Sequence, residues 1–410
     1  MAPQFILLID AALIIGAPYA LWAATPLRRH IPLAVWQIVI GLALGPSLLG
    51  RYAPDLHAFL FPEQSKAAIS SLAMVAVVLF SFVTGMHLDP TAMRQSRGIA
   101  GVALGSFAAP FAIGLGLGLI LTRVMPDAVG AIGDPWLFAV AIGLLVTVTA
   151  LPVLGAVLKE IGLLHHRVGQ QAIGLAALND AALWIGIGVL LLASADSRSE
   201  INFIWLPLYI AAVALAARGL AMLSARHDKQ PPNGRNGDGL AVAMCCFAFV
   251  SAFAAEHVGI GYVSGAFLAG LCVPPSRRAA LLARLEWPTT MVLLPFFFMA
   301  TGLKTTADLL SVTTLTLGLV LSIAAFLGKV IGVAVPAVIA GADRREATAL
   351  GVLLQTKGMM EILAATILFN AGIVSPSVFT ALLLMAIVCT TIAGPLARSL
   401  IKPAPVPAHS

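Results

Sequence analysis

Charge is what this 410-residue chain has least of: Asp, Glu, Lys and Arg together make up 10% of it, against ~25% in a soluble domain. That scarcity excludes a water-soluble globular fold. It also removes nucleic-acid affinity as an explanation of the net charge of +6. Cysteine is scarce too. Cys245, Cys246, Cys272 and Cys389 all fall inside apolar runs, so no disulfide framework is expected. No Gly-rich phosphate loop appears. The Gly114, Gly116, Gly118 run and the Gly186, Gly188 pair lie within apolar runs, where small residues let helices pack closely. The opening Met-Ala-Pro-Gln-Phe lacks the basic region of a cleaved signal peptide. The first apolar run is therefore expected to be a retained span.

What the chain has in abundance is hydrophobicity, 60% of all residues. The pattern predicts an all-α polytopic membrane protein of about thirteen transmembrane helices. The spans fall near 4–24, 31–50, 67–86, 98–122, 136–158, 168–194, 203–224, 239–256, 260–274, 287–303, 311–338, 347–370 and 374–397, and the ninth is short. Loop charge tests the count. With the N-terminus outside, the outer loops hold only Arg51, Lys66, Arg123, Arg198 and Lys304. Lys329 and Lys357 lie inside spans, and the other seventeen of the 24 Lys and Arg fall in cytoplasmic loops, the C-terminus among them. Six spans precede the seventh and six follow it. An offset of seven reverses orientation, so the two sixes are expected to form an inverted-topology repeat, an architecture many secondary transporters share.

The most informative residues are Asn179-Asp180, in the middle of the uncharged run Val168 to Ala195. A carboxylate at hydrocarbon depth costs about 2.5–3.5 kcal/mol on insertion scales and marks an ion or proton site by default. The plain alternative is an acid that only caps or bonds a neighbouring helix. The repeat pairs span five with span twelve, and both carry helix-breaking polar sequence: Thr147-Val-Thr149-Ala-Leu-Pro152, and Gln355-Thr356-Lys357-Gly358-Met-Met-Glu361. Proline removes a helical hydrogen bond. Broken helices at midplane offer the free carbonyls and amides from which transporters build ion sites. A proline kink and a snorkelling lysine are the plain alternatives here. Lys329, in span eleven, is about as deep as Asp180, so Asp180 and Glu361 balance Lys329 and Lys357. Helices five, six, eleven and twelve are expected to converge on this set. Glu361 lies four residues after Lys357, one helical turn if the helix continues there, which is the spacing of a local ion pair holding the broken helix; direct contact with the ion is the alternative role.

These residues carry a resemblance. Gly41-Leu-Ala-Leu-Gly-Pro-Ser-Leu-Leu-Gly50, the Phe80-to-Asp89 stretch, Thr147-Val-Thr-Ala-Leu-Pro-Val-Leu154, Asn179-Asp180, Ser264-to-Gly270, Pro295-to-Gly302, Lys329 and Thr356-to-Glu361 occur in order along almost the whole chain. The chain resembles the monovalent cation:proton antiporter superfamily, in the branch of bacterial potassium efflux transporters, spore-germination antiporters and plant cation/proton exchangers. The resemblance implies a homodimer with two parts. A dimerisation scaffold would use residues 1–90 and 239–304. A transport core would use 97–195 and 311–400 and slide against the scaffold like an elevator. Residues 203–224 would connect them, and 401–410 would be a short cytoplasmic tail, too short for the nucleotide-binding regulatory domain of the potassium efflux relatives. Asp180 matches the ion-binding carboxylate and Lys329 the core basic residue. Thr149 and Thr356 would sit at the crossing of the broken helices. Asn179 stands where electrogenic relatives carry a second acid. Electroneutral sodium/proton relatives often carry Glu-Ser where this chain has Leu175 and Ala176, and Arg where it has Lys329; the departure leaves Lys329 free to pair with Asp180.

The expected activity is exchange of sodium or potassium for a proton, with Asp180 binding one or the other and never both. Burial and a nearby ammonium pull its protonation in opposite directions, so it is expected to titrate near neutral pH. A single titrating acid implies one proton per cation and no net charge moved. No cofactor, structural metal or catalytic residue is expected. A sodium-coupled organic-anion symporter needs a larger cavity and other cation sites, a channel a continuous pore. An intramembrane aspartyl protease needs a second catalytic acid, and Asp10 lacks a glycine-flanked motif. Asp10 is expected to face the dimer contact, and His165 and His166 a solvated loop.

Overall fold

A computed structural model describes residues 3–25, 33–46, 48–87, 99–163, 166–194, 200–227, 234–304 and 311–401. Asp89, His165, residues 228–233 of the hydrophilic stretch and the tail from 402 lie outside them. The helices begin with α1 (Pro3–Ala24), α2 (Leu33–Leu44), α3 (Leu49–Tyr52), α4 (Pro54–Leu60), α5 (Glu63–His87) and α6 (Ile99–Val124). They continue with α7 (Pro135–Thr147), α8 (Leu151–Glu160), α9 (Arg167–Ser194), α10 (Glu200–His227), α11 (Gly234–Val258) and α12 (Tyr262–Leu271). The last six are α13 (Pro275–Pro288), α14 (Leu294–Lys304), α15 (Val312–Ile339), α16 (Arg344–Leu353), α17 (Met359–Asn370) and α18 (Pro376–Leu400).

Among the described residues, nine helical stretches are long and apolar enough to cross a bilayer. The other four expected spans correspond to α2, α12 and two interrupted pairs, α7/α8 and α16/α17. Expected span ten, at 287–303, begins earlier. The amphipathic α13 runs through a π-helical turn, Thr289–Leu293, straight into α14. Hydropathy alone placed its start too late because Arg277, Arg278 and Arg284 make its first turns polar.

The chain divides into two compact units. The first holds Met1–Ala20, Gln37–Leu88 and Trp184–Thr305, and therefore α10 as well. The second holds Leu21–Trp36, Asp89–Leu183 and Thr306–Ser410. In the first, Phe82, Val83 and Met86 of α5 pack with Met244 and Ala248 of α11, Ala269 of α12 and Leu281 of α13. Tyr209 and Ser251 share a hydroxyl hydrogen bond of 2.9 Å, and Ser251 lies within 2.8 Å of the Gly265 carbonyl.

The second unit packs Leu154 and Leu158 of α8, Ala172 and Leu175 of α9, Val333 of α15, Leu353 of α16 and Ala397 of α18 into one core. Lipid is as apolar as leucine, so close backbone approach rather than water exclusion has to hold such helices together. Two glycine pairings supply it. Gly105 of α6 and Gly332 of α15 face each other so tightly that a Cβ on either would collide with the other's carbonyl oxygen. Gly114 and Gly118 meet Gly143 and Ala139 of α7 in the same way, while Gly116 meets nothing. One backbone bridge, Val129 with Val374, ties the loop before α7 to the loop before α18.

Candidate functional site

The two interrupted helices lie in the second unit and bond to each other at their breaks. The α7 helix ends at Thr147 and α8 begins at Leu151; α16 ends at Leu353 and α17 begins at Met359. Between the breaks, the Ala150 amide donates to the Thr356 carbonyl at 2.8 Å. The Thr149 hydroxyl donates to the Leu354 carbonyl at 2.7 Å. Both threonines thus stand at the crossing. Thr147 turns back to the Gly143 carbonyl at 2.7 Å and closes the last turn of α7. Pro152 stands in the first turn of α8, where a missing amide proton costs nothing; its side chain lies outside the described residues. A Cβ at Gly358 would meet a Val153 methyl at 2.5 Å and the Ala150 Cβ at 3.2 Å, so a larger residue there would force Val153 to move at the crossing.

A broken helix leaves its last carbonyls unpaired and partially negative. Lys357 answers this. Its ammonium is fully buried and donates to the carbonyls of Val146 at 2.9 Å and Leu145 at 3.2 Å, at the open end of α7. It is a cap for the partner half-helix, not a snorkelling side chain. Glu361 sits 3.9 Å from the same ammonium, in the first turn of α17 where the helix end favours an acid. Thr390 of α18 holds the strand of backbone between, accepting from the Lys357 amide at 2.9 Å and lying 2.7 Å from its carbonyl.

Asn179 and Asp180 lie within α9, 2% and 1% exposed. Asn179 Oδ1 is 3.1 Å from the hydroxyl of Ser106 on α6, and that hydroxyl is also 2.8 Å from the Ala103 carbonyl. The fully buried Lys329 donates to the Ser106 carbonyl at 3.0 Å. Sequence alone left Lys329 free for a direct pair with Asp180. The structure instead sends its proton to Ser106, within electrostatic reach of Asp180 but with no ion pair between them. Lys329 is also close enough to Lys357 to feel its charge. Asp180, Lys329, Lys357 and Glu361 therefore form one sequence of interacting buried charges. Oδ1 of Asp180 and both carboxylate oxygens of Glu361 accept no hydrogen bond within the described residues. Such an atom in a buried site is suited to a proton or a desolvated cation.

Ser106 and Thr390 are the members that sequence reasoning missed. Each is a lone hydroxyl in an apolar span, a common and usually structural feature. The one available signal for Ser106 was Gly105 beside it, marking a close helix approach.

The family model for the transmembrane sodium/hydrogen exchanger matches residues 11–402. The chain belongs to the sodium/hydrogen exchanger family. It is 29% identical to the Na(+)/H(+) antiporter NhaS4 of Synechocystis over 99% of its own length and 97% of that protein. It is 30% identical to Cation/H(+) antiporter 18 of Arabidopsis thaliana over 92% of its length and 47% of that protein, so it spans about half the length of the plant relatives it matches. The sodium proton antiporter MjNhaP1 of Methanocaldococcus jannaschii shares the fold, with a TM-score of 0.60, 15% identity and coverage of 96% of this chain and 97% of that one. The all-helical fold described above is thus the fold of a solved antiporter.

Proposed function

We propose that this chain exchanges a monovalent cation, sodium or potassium, for a proton across the cell membrane, with its N-terminus outside and C-terminus inside. The observation that carries the reading is Asp180: a carboxylate buried in a membrane helix, with Oδ1 unpartnered and the Lys329 ammonium in electrostatic reach. A proton and a desolvated cation compete for it. Desolvation and the neighbouring ammonium act against each other, which leaves either occupant able to leave. With Glu361 held beside the Lys357 ammonium at 3.9 Å, Asp180 is the one exchanging acid, and the exchange is electroneutral. The unit that carries Asp180 is the moving body of an elevator and the other unit the scaffold, through which two copies associate. The relatives' names, Na(+)/H(+) and cation/H(+) antiporter, support the same reading.

The test is cation-driven pH change in proteoliposomes holding the purified chain and an internal pH dye. Sodium, potassium, lithium and rubidium are added in turn, and Asp180→Asn is the control. Exchange that disappears in the variant supports the assignment, and exchange that survives in it refutes Asp180 as the carrier.

A further inference from the structure

A cavity of about 220 Å³ opens within the second unit, between the starts of α9 and α16, the end of α15 and the lower part of α6. Its exposed rim carries Arg167, Asp343 and the half-buried Gln171 and Glu346. Its buried floor is Val102, Leu175 and Leu350. The floor has a specific address. Val102 lies four residues before Ser106 on α6, and Leu175 lies four residues before Asn179 on α9. Both floor residues are therefore one helical turn, about 6 Å, from the Ser106–Asn179 hydrogen bond. A 220 Å³ space is far above the ~15 Å³ that admits one water, and the polar rim gives waters partners.

We propose that this cavity is a proton-access vestibule to the Asn179–Asp180 site, open to the membrane face that carries Arg167, Arg344 and Arg345 and closed to the cation by its apolar floor. The inference rests on the antiport reading. Val102, Leu175 and Leu350 offer no side-chain oxygen, so a cation stripped of water finds no ligand there. A proton needs only a transient file of water across one helical turn. The charges on the route are few. Asp343 caps α16 by accepting from the Arg345 and Glu346 amides at 2.9 and 3.3 Å. His166 lies beside the rim, its Nδ1 accepting from the Val168 amide at 3.3 Å. Glu346 and Arg167 are the remaining rim charges, and Lys329 lies on α15 two turns before the wall residue Ala337. The basic side should be the inner one, since loops rich in Arg and Lys remain inside.

The test modifies the folded protein, so misfolding cannot mimic the result. Gln171→Cys and Leu175→Cys are placed separately in the full chain with its four native cysteines changed to alanine. Each is reconstituted and treated with an impermeant methanethiosulfonate from one face. Two fluxes follow: isotopic sodium or potassium self-exchange, which needs the carboxylate but no proton, and cation-driven proton movement. The expected result is reaction from the basic face only. Modification at position 171 should then slow proton-coupled exchange by about tenfold or more, the scale of a lost proton-transfer step, and leave cation self-exchange within about twofold. Unreactive cysteines, two fluxes that fall together, or two fluxes that do not change would each overturn the vestibule. If the unmodified protein shows no cation self-exchange at all, the antiport reading fails instead, and the labelling alone then decides whether water enters the funnel.

Discussion

Lys357→Met removes one ammonium and almost no volume. In the wild type that ammonium makes two charge-assisted bonds, to the Val146 and Leu145 carbonyls at 2.9 and 3.2 Å, and it stands 3.9 Å from Glu361. All three partners lie where water does not reach. Hydrogen bonds to charged groups contribute about 1.5–3 kcal/mol each, but the larger effect is what remains behind. Glu361, 1% exposed, loses the ammonium that stands 3.9 Å away, and the open end of α7 loses its cap. Breaking a buried pair by deleting one partner costs about 3–5 kcal/mol, a large part of the ~5–15 kcal/mol that holds a domain folded. Removing both charges, as Lys357→Met with Glu361→Gln, should cost less than Lys357→Met alone, because no uncompensated charge remains. The assay is the midpoint of loss of monodispersity on heating in detergent, for the wild type, both single variants and the double. The midpoint should fall most in Lys357→Met and recover in part in the double variant. Equal midpoints for Lys357→Met and wild type, or a double variant worse than the sum of the singles, would refute the capping argument.

Gly332→Val should separate α6 from α15, since a Cβ there collides with the Gly105 carbonyl; exchange should be lost while membrane insertion, followed by membrane fractionation, continues. Thr390→Val leaves the Lys357 amide and carbonyl without their 2.9 and 2.7 Å partner; a stability loss of about 1–3 kcal/mol per orphaned group is expected, read as a lower melting midpoint with the cation selectivity unchanged. Lys329→Gln removes the charge that acts on Asp180 and the 3.0 Å bond to Ser106; the pH profile of exchange should move, and an unmoved profile would make Lys329 purely structural.

The scarcity of charge and the thirteen apolar runs determined a helical membrane chain, because a bilayer admits only segments that satisfy their own backbone. The lone acid of Asn179-Asp180, the lysines at 329 and 357 and the Thr-Pro and Gly interruptions likewise marked the candidate site, because each is costly in hydrocarbon and has no cheap explanation there. The four-residue spacing of Lys357 and Glu361 hinted at their pair, although Lys357 lies in the break before α17 and the 3.9 Å approach is set by the course of that break rather than by a helical turn. Partners from different helices were not legible. That Lys357 caps α7, 211 residues away at Val146, depends on how two breaks cross. That Lys329 bonds Ser106 depends on the close approach of α6 and α15 at Gly105 and Gly332, which sets the Ser106 carbonyl 3.0 Å from the ammonium. The cavity above Val102 and Leu175 is a product of four helix ends and has no sequence signature. Periodicity and insertion cost act residue by residue along the chain, so sequence carries them; contacts between helices depend on backbone approach distances, and only the packed structure sets those.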